Sequence, residues 1–418
     1  MEIARRRPFG ANPTVGERGT ETQNKILEAG LDVFADLGFD GARVELITER
    51  AGCSRPAFYQ YFSSKDDVFW KLAARLGQDM VELAGRLPKV TGDANGVGAL
   101  AKWIDDFASM HERYSAVFAS FQAASRAHPV TSRDSVSISE QMATALLRAF
   151  GLNPSRRENL VLGEGVVAVV IRCSFYWENM DTVASRKSFV RAVALFVHRL
   201  FAGPIEDVNV DRSVKAAKVA VPAAPRVEHL REVRPRGEKT RRKLLDAGAK
   251  VLPSHGYQAA RVDDIAEVAG VSHGSFYRYF QNKDEFFRVL AEDASLRMID
   301  MLDRFPEADD RAALRAWTEE WFTTYEGNGG VISVWQEMQA AEPTLAEFSL
   351  DVAVAVIGRL GRILESRGFG DPSIDALAFL ALTERMPYGV FTLRFSERDE
   401  AVDAMVTMIR KGFLGLPR

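Results

Sequence analysis

Apolar residues recur along this chain at spacings of three and four, and the recurrences fall into two matching sets. Val44, Ile47 and Ala51 sit at i, i+3 and i+7, one face of a short helix. Gly52 follows, able to take the left-handed conformation that ends a helix. Ser54 stands where an N-cap belongs, its hydroxyl able to accept an N–H of the next first turn. Pro56 falls inside that turn, where its missing N–H has no partner to lose. Phe58 and Phe62 are four apart and turn inward, leaving Arg55, Tyr59 and Gln60 outward. The spacing predicts helix, tight turn with glycine, helix, with a polar and aromatic outer face. A unit of that kind places its second helix in a DNA major groove.

The chain then repeats itself. Gly38–Phe69 returns as Gly256–Phe287, 218 positions later and without a gap. Extended back to Thr22 and Thr240, about 22 of 48 aligned positions are identical, which identifies a duplication. In the second copy Val262, Ile265 and Ala269 are the inward face, Gly270 is the turn and Ser272 the cap. Phe276 and Phe280 are the buried pair, and His273, Tyr277 and Arg278 point outward. Lys65 and Lys283 open the following helix in each copy, a place suited to a phosphate. Asn153-Pro154-Ser155 and Asp371-Pro372-Ser373 also lie 218 apart, so the duplication spans the chain, with a short deletion near Ser396.

The segments AGCSRPAFYQYFSSKDD (Ala51–Asp67) and AGVSHGSFYRYFQNKDE (Ala269–Glu285) resemble the DNA-binding domain of the TetR family of bacterial transcriptional regulators. The resemblance implies an all-α fold of two tandem units. Each is a three-helix helix-turn-helix domain followed by a helical ligand-binding and dimerisation domain. Family members begin the second helix with Ser or Thr on a phosphate. Here Arg43 and Arg261 stand there, and arginine also reaches phosphate. The residues implied for DNA are Arg43, Ser54, Arg55, Pro56, Ala57, Tyr59, Gln60, Tyr61 and Lys65. In the second copy they are Arg261, Ser272, His273, Gly274, Ser275, Tyr277, Arg278, Tyr279 and Lys283. The family's homodimers pair through their last two helices. One chain with two units could make that pairing internally, although a homodimer stays open. A repressor is the family default, and the expected regulation is a small, largely apolar effector that enters one or both regulatory domains.

Between the motifs the helical period continues. Residues 1–20 are expected to be a disordered basic arm, 21–64 the first DNA-binding domain and 65–203 its helical regulatory domain. Residues 204–238 read as a linker, 239–282 as the second DNA-binding domain and 283–418 as the second regulatory domain. Pro253 predicts that the first helix of the second unit ends early. Separate helices are predicted at 310–325 and 331–341. Segments 155–179 and 373–394 are apolar enough to face one another, and Glu384 and Arg385 within the latter suggest a paired interface charge. Trp103, Phe107, Phe121, Trp177, Trp317, Trp321 and Trp335 are the candidate ligand-cavity residues, against the alternative that they are ordinary core.

Composition narrows the class. With 47% apolar and 27% charged residues the chain suits globular cores. The net charge of −3 argues against nucleic acid until its distribution is considered, because basic residues cluster at the two motifs. Two cysteines, Cys53 and Cys173, give no disulfide framework and suit a reducing cytoplasm. No apolar run is expected to span a membrane, and no cofactor or metal is implied. Six scattered His and the absence of a nucleophile elbow or phosphate loop argue against an enzyme. The remaining alternative is a ligand-independent or architectural DNA-binding protein.

Overall fold

The computed structural model describes residues 17–127, 131–179, 185–205, 235–307, 310–338, 343–365 and 372–416. Among them every regular element is a helix. The expected basic arm lies outside them up to residue 16, and helix α1 begins at Glu17 rather than after 20. Most of the expected linker also lies outside, and helix α10 begins at Pro235. The chain forms two compact units, one of Met1–Arg86 and Asp105–Met142, the other of Leu87–Ile104 and Ala143–Arg418.

The first unit opens with α1 (Glu17–Gly41), α2 (Val44–Ala51), α3 (Arg55–Tyr61) and α4 (Lys65–Gly85). α1 breaks at Gly38, whose φ of 68° only glycine adopts readily. Ile26, Phe34, Ile47, Phe58, Val68 and Phe69 are buried and hold the four helices together. Gly30 lets α1 close on α4, because a Cβ there would stand 2.6 Å from Val68. The same unit holds α6 (Ser115–Ala127) and most of α7 (Thr131–Ala149), while α5 (Ala94–Arg113) runs through both units.

The second unit repeats the head as α10 (Pro235–Ala259), α11 (Val262–Ala269), α12 (His273–Tyr279) and α13 (Lys283–Asp303). Gly256 and Gly270 take the places and conformations of Gly38 and Gly52. Gly248, the repeat of Gly30, lies under Phe286, the repeat of Val68. α10 is as long as α1, 25 residues each, so Pro253 does not shorten it. The proline removes one bond a turn before the break at Gly256, too late to end the helix. The predicted pair 310–325 and 331–341 is one helix, α14 (Arg311–Met338). Gly329 is a packing site rather than a break, since the Tyr325 ring lies where its Cβ would be. α15 (Pro343–Glu365) and α16 (Pro372–Tyr388) follow. A π segment Gly389–Leu393, α17 (Arg398–Thr407) and a second π segment Met408–Phe413 end the chain.

The same unit also contains α8 (Arg157–Asn179) and α9 (Arg186–Ala202). α8 packs on α16 and α17, and α9 on α16 and the last π segment. Val166, Val167, Val169 and Val170 are buried, and Gly165 admits Met386 and Met408. Phe196 stacks on Phe413 at 4.3 Å and Phe413 on Phe379 at 5.0 Å. By length and composition Arg157–Glu178 could cross a membrane, which corrects the expectation that no segment approaches that. In the fold 67% of that stretch is buried against protein.

Candidate functional site

Each head presents its second helix outward. Tyr59 and Tyr277 are among the few large apolar side chains left in solvent, 53% and 44% exposed. Arg43, Ser54, Arg55, Pro56 and Gln60 are exposed beside Tyr59, with Ala57 and Tyr61 half-buried. Arg261, Ser272, His273, Gly274 and Arg278 are exposed beside Tyr277, with Ser275 and Tyr279 half-buried. The apolar reason is the same in both copies. Phe58 and Phe276 are fully buried on the opposite side of these two-turn helices.

The first residue of each outer helix has a carboxylate partner on the preceding helix. Arg55 meets Glu45 at 2.6 Å, and His273 meets Asp263 at the same place in the repeat. Both pairs are exposed, so solvent weakens each contact. The two caps differ. Ser54 accepts the Ala57 N–H at 3.3 Å, whereas the Ser272 hydroxyl shares a hydrogen with the Ser275 hydroxyl at 2.8 Å and caps no backbone N–H. The expected Ser272 cap is thereby corrected: the side chain at 275 is a serine where the first head has Ala57, and it takes the hydroxyl.

Lys65 and Lys283 do not point at solvent as expected. The Lys65 ammonium donates to the carbonyls of Phe39 at 2.7 Å and Ala42 at 3.1 Å, and lies 4.7 Å from the centre of the Phe39 ring. Lys283 repeats this with Tyr257 at 2.9 Å, Ala260 at 3.2 Å and the Tyr257 ring at 4.4 Å. The break at each glycine turns carbonyls toward the ammonium, and a cation satisfies carbonyls at a helix end. Lys65→Met is expected to destabilise the first head by about 1–3 kcal/mol in urea unfolding. It should leave the salt slope of DNA binding unchanged, whereas loss of a phosphate contact would reduce that slope by about 1.

A cavity of about 610 Å³ opens in the first unit among α4, α6 and α7. Trp70, Ala73, Ala74, Gly77, Gln78, Val81 and Glu82 line it from α4, Phe121 from α6, and Ser137, Ile138 and Gln141 from α7. Trp70 and Phe121 meet edge to face at 5.9 Å. Of the candidate ligand residues only Phe121 lines this cavity. Trp103 and Phe107 are buried core, and Trp177 packs on Phe189 at 6.1 Å. Trp317 and Trp321 stack at 5.2 Å, their indole N–H groups donating to the carbonyls of Met301 and Thr383, each at 2.8 Å. The Trp335 side chain lies outside the described residues. Trp70 was missed because its neighbour Phe69 dominates the apolar pattern. The usable signal was the small residues Ala73, Ala74 and Gly77, which leave a groove one turn beyond it.

Comparison with known proteins agrees with this geometry. The family model described as bacterial regulatory proteins, tetR family, matches residues 26–71 and 244–290, one match in each head. The chain is 31% identical over 186 residues to the HTH-type transcriptional repressor LfrR of Mycolicibacterium smegmatis, covering 43% of this chain and 94% of LfrR. It is 25% identical over 203 residues to the HTH-type transcriptional activator FasR of the same organism, covering 46% of this chain and 88% of FasR. Among solved structures, FadR from Bacillus subtilis in complex with stearoyl-CoA aligns at 17% identity with a TM-score of 0.34, over 42% of this chain and 99% of that one. With a helix-turn-helix match in each half and LfrR matched over nearly its whole length, the chain belongs to the TetR family of DNA-binding transcriptional regulators.

Proposed function

We propose that the protein is a cytoplasmic, effector-responsive repressor that reads an asymmetric operator with the two unlike heads of one chain. The observation that carries this reading is the difference between two outward faces on otherwise matching scaffolds. Arg55, Pro56 and Gln60 stand in one head where His273, Gly274 and Arg278 stand in the other. Glutamine suits adenine edges and arginine suits guanine. The tyrosines position each head on phosphate and sugar. The repressor sign follows LfrR, the more identical of the two relatives named above. Binding to palindromes built from each half-site tests the reading. Unequal affinities are expected, and equal affinities would sink it.

The effector site we assign to the first unit's cavity, whose walls suit an apolar body carrying one hydrogen-bonding end. Among the described residues the second repeat builds the corresponding walls from bulkier side chains. Ala74, Gly77 and Val81 are replaced there by Glu292, Ser295 and Ile299, all buried, and half-buried Ile138 by buried Val356. One ligand per chain follows. Anilinonaphthalene sulfonate, used as an apolar probe, is expected to bind with a stoichiometry of one. Ala73→Trp should weaken it by at least about tenfold, or 1.4 kcal/mol. Two equivalent sites in calorimetry would contradict this assignment.

A further inference from the structure

The ion pairs that join the two repeats all run in one sense. Among the described residues, three ion pairs cross between α8–α9 and the α16–α17 segment. Arg157 meets Glu400 at 3.0 Å, Arg172 meets Glu384 at 2.8 Å, and Arg199 lies 3.9 Å from Asp375. In every pair the arginine belongs to the first repeat and the carboxylate to the second. Arg157 also donates to the Phe395 carbonyl at 2.7 Å, and Arg199 to the Gly412 carbonyl at 2.8 Å. The central pair is inside the interface, with Arg172 6% and Glu384 13% exposed.

The repeat shows what a like pairing would do. A shift of 218 positions carries Arg172 onto Val390, Glu384 onto Val166 and Arg157 onto Asp375. A first repeat meeting another first repeat would set Arg172 against valine. A second repeat meeting a second would set Glu384 against valine. Each would bury a charge without its counter-charge, the strongly unfavourable case for a buried ion pair. Only the unlike combination satisfies both. Specificity of this kind lies in what the wrong partner leaves unsatisfied.

We propose that this surface is keyed: the basic α8–α9 face accepts the acidic α16–α17 face, from its own chain or from a second copy, and rejects a copy of itself. Any dimer of this chain is then an exchanged one, and every operator meets one head of each kind. The inference rests on the pairing of repeats in the proposed function but not on DNA, and its test uses none. Failure of operator binding would therefore leave it standing.

The test uses full-length chains. Arg172→Glu alone and Glu384→Arg alone each place like charges together in the interface. Each should weaken pairing by at least about a hundredfold, read as a lower urea midpoint. The double variant Arg172→Glu/Glu384→Arg should return to the original midpoint. The two single variants, refolded together, should form a species of twice the 46.4 kDa chain mass, because each altered face finds its complement in the other chain. Rescue within one chain or between two is the readout whether or not either single variant folds alone. Single variants with unchanged midpoint and mass would overturn the proposal. So would a double variant no better than the singles, or a refolded mixture that stays at the single-chain mass.

Discussion

Phe276→Ala is expected to unfold the second head, at a loss of about 3–5 kcal/mol. The side chain is fully buried. Its ring lies 5.3 Å from Phe280 and 5.2 Å from Phe286, which are themselves 4.9 Å apart. Truncation leaves a cavity and also removes aromatic contacts, each worth about 0.5–1.5 kcal/mol beyond area. A small helical domain has only about 0.05–0.15 kcal/mol of stability per residue, so this loss matches the whole margin of a head. Hydrogen exchange should show α10–α12 opening while α8 and α16 stay protected. Phe58→Ala acts on the first head toward the lower end of the range. Phe58 retains Phe62 at 5.8 Å, but Val68 stands where the second head has Phe286.

The second large effect is on DNA. Tyr277→Ala/Arg278→Ala removes exposed side chains that support no core, so stability should change by no more than about 0.5 kcal/mol. Affinity for the full operator should nevertheless fall by about 10²–10⁴-fold, because one of two linked binding modules is lost. Tyr59→Ala/Gln60→Ala should do the same from the other side. Electrophoretic mobility shift with a full operator reads both, and a silent pair would mean that its head is idle.

The heads were legible because their determinants are local. Period, glycine and the buried phenylalanines lie within nineteen residues, Val44–Phe62, and the repeat supplies an internal control. Glu384 was also legible, as a charge in an apolar helix. Its partner Arg172 was not, since 212 residues separate them. The two lysines were misread for a tertiary reason: the carbonyls they meet are exposed by a helix break 27 residues earlier. The cavity was illegible from aromatics because a void is set by what is small. Ala73 and Ala74 leave the space and Gly77 admits the Ile138 side chain at its wall, while Trp317 and Trp321 fill theirs. The helix α14 runs on through Gly329, which the Tyr325 ring covers, a contact that no propensity scale records.

The central claim is that one chain reads two different half-sites. Selection of bound duplexes from a random DNA library by the full-length protein tests it most directly. The expected consensus has two dissimilar half-sites centred about one helical turn apart, some 34–36 Å. A perfect inverted repeat would contradict the account, because it would mean that two identical heads, from two chains, meet the DNA.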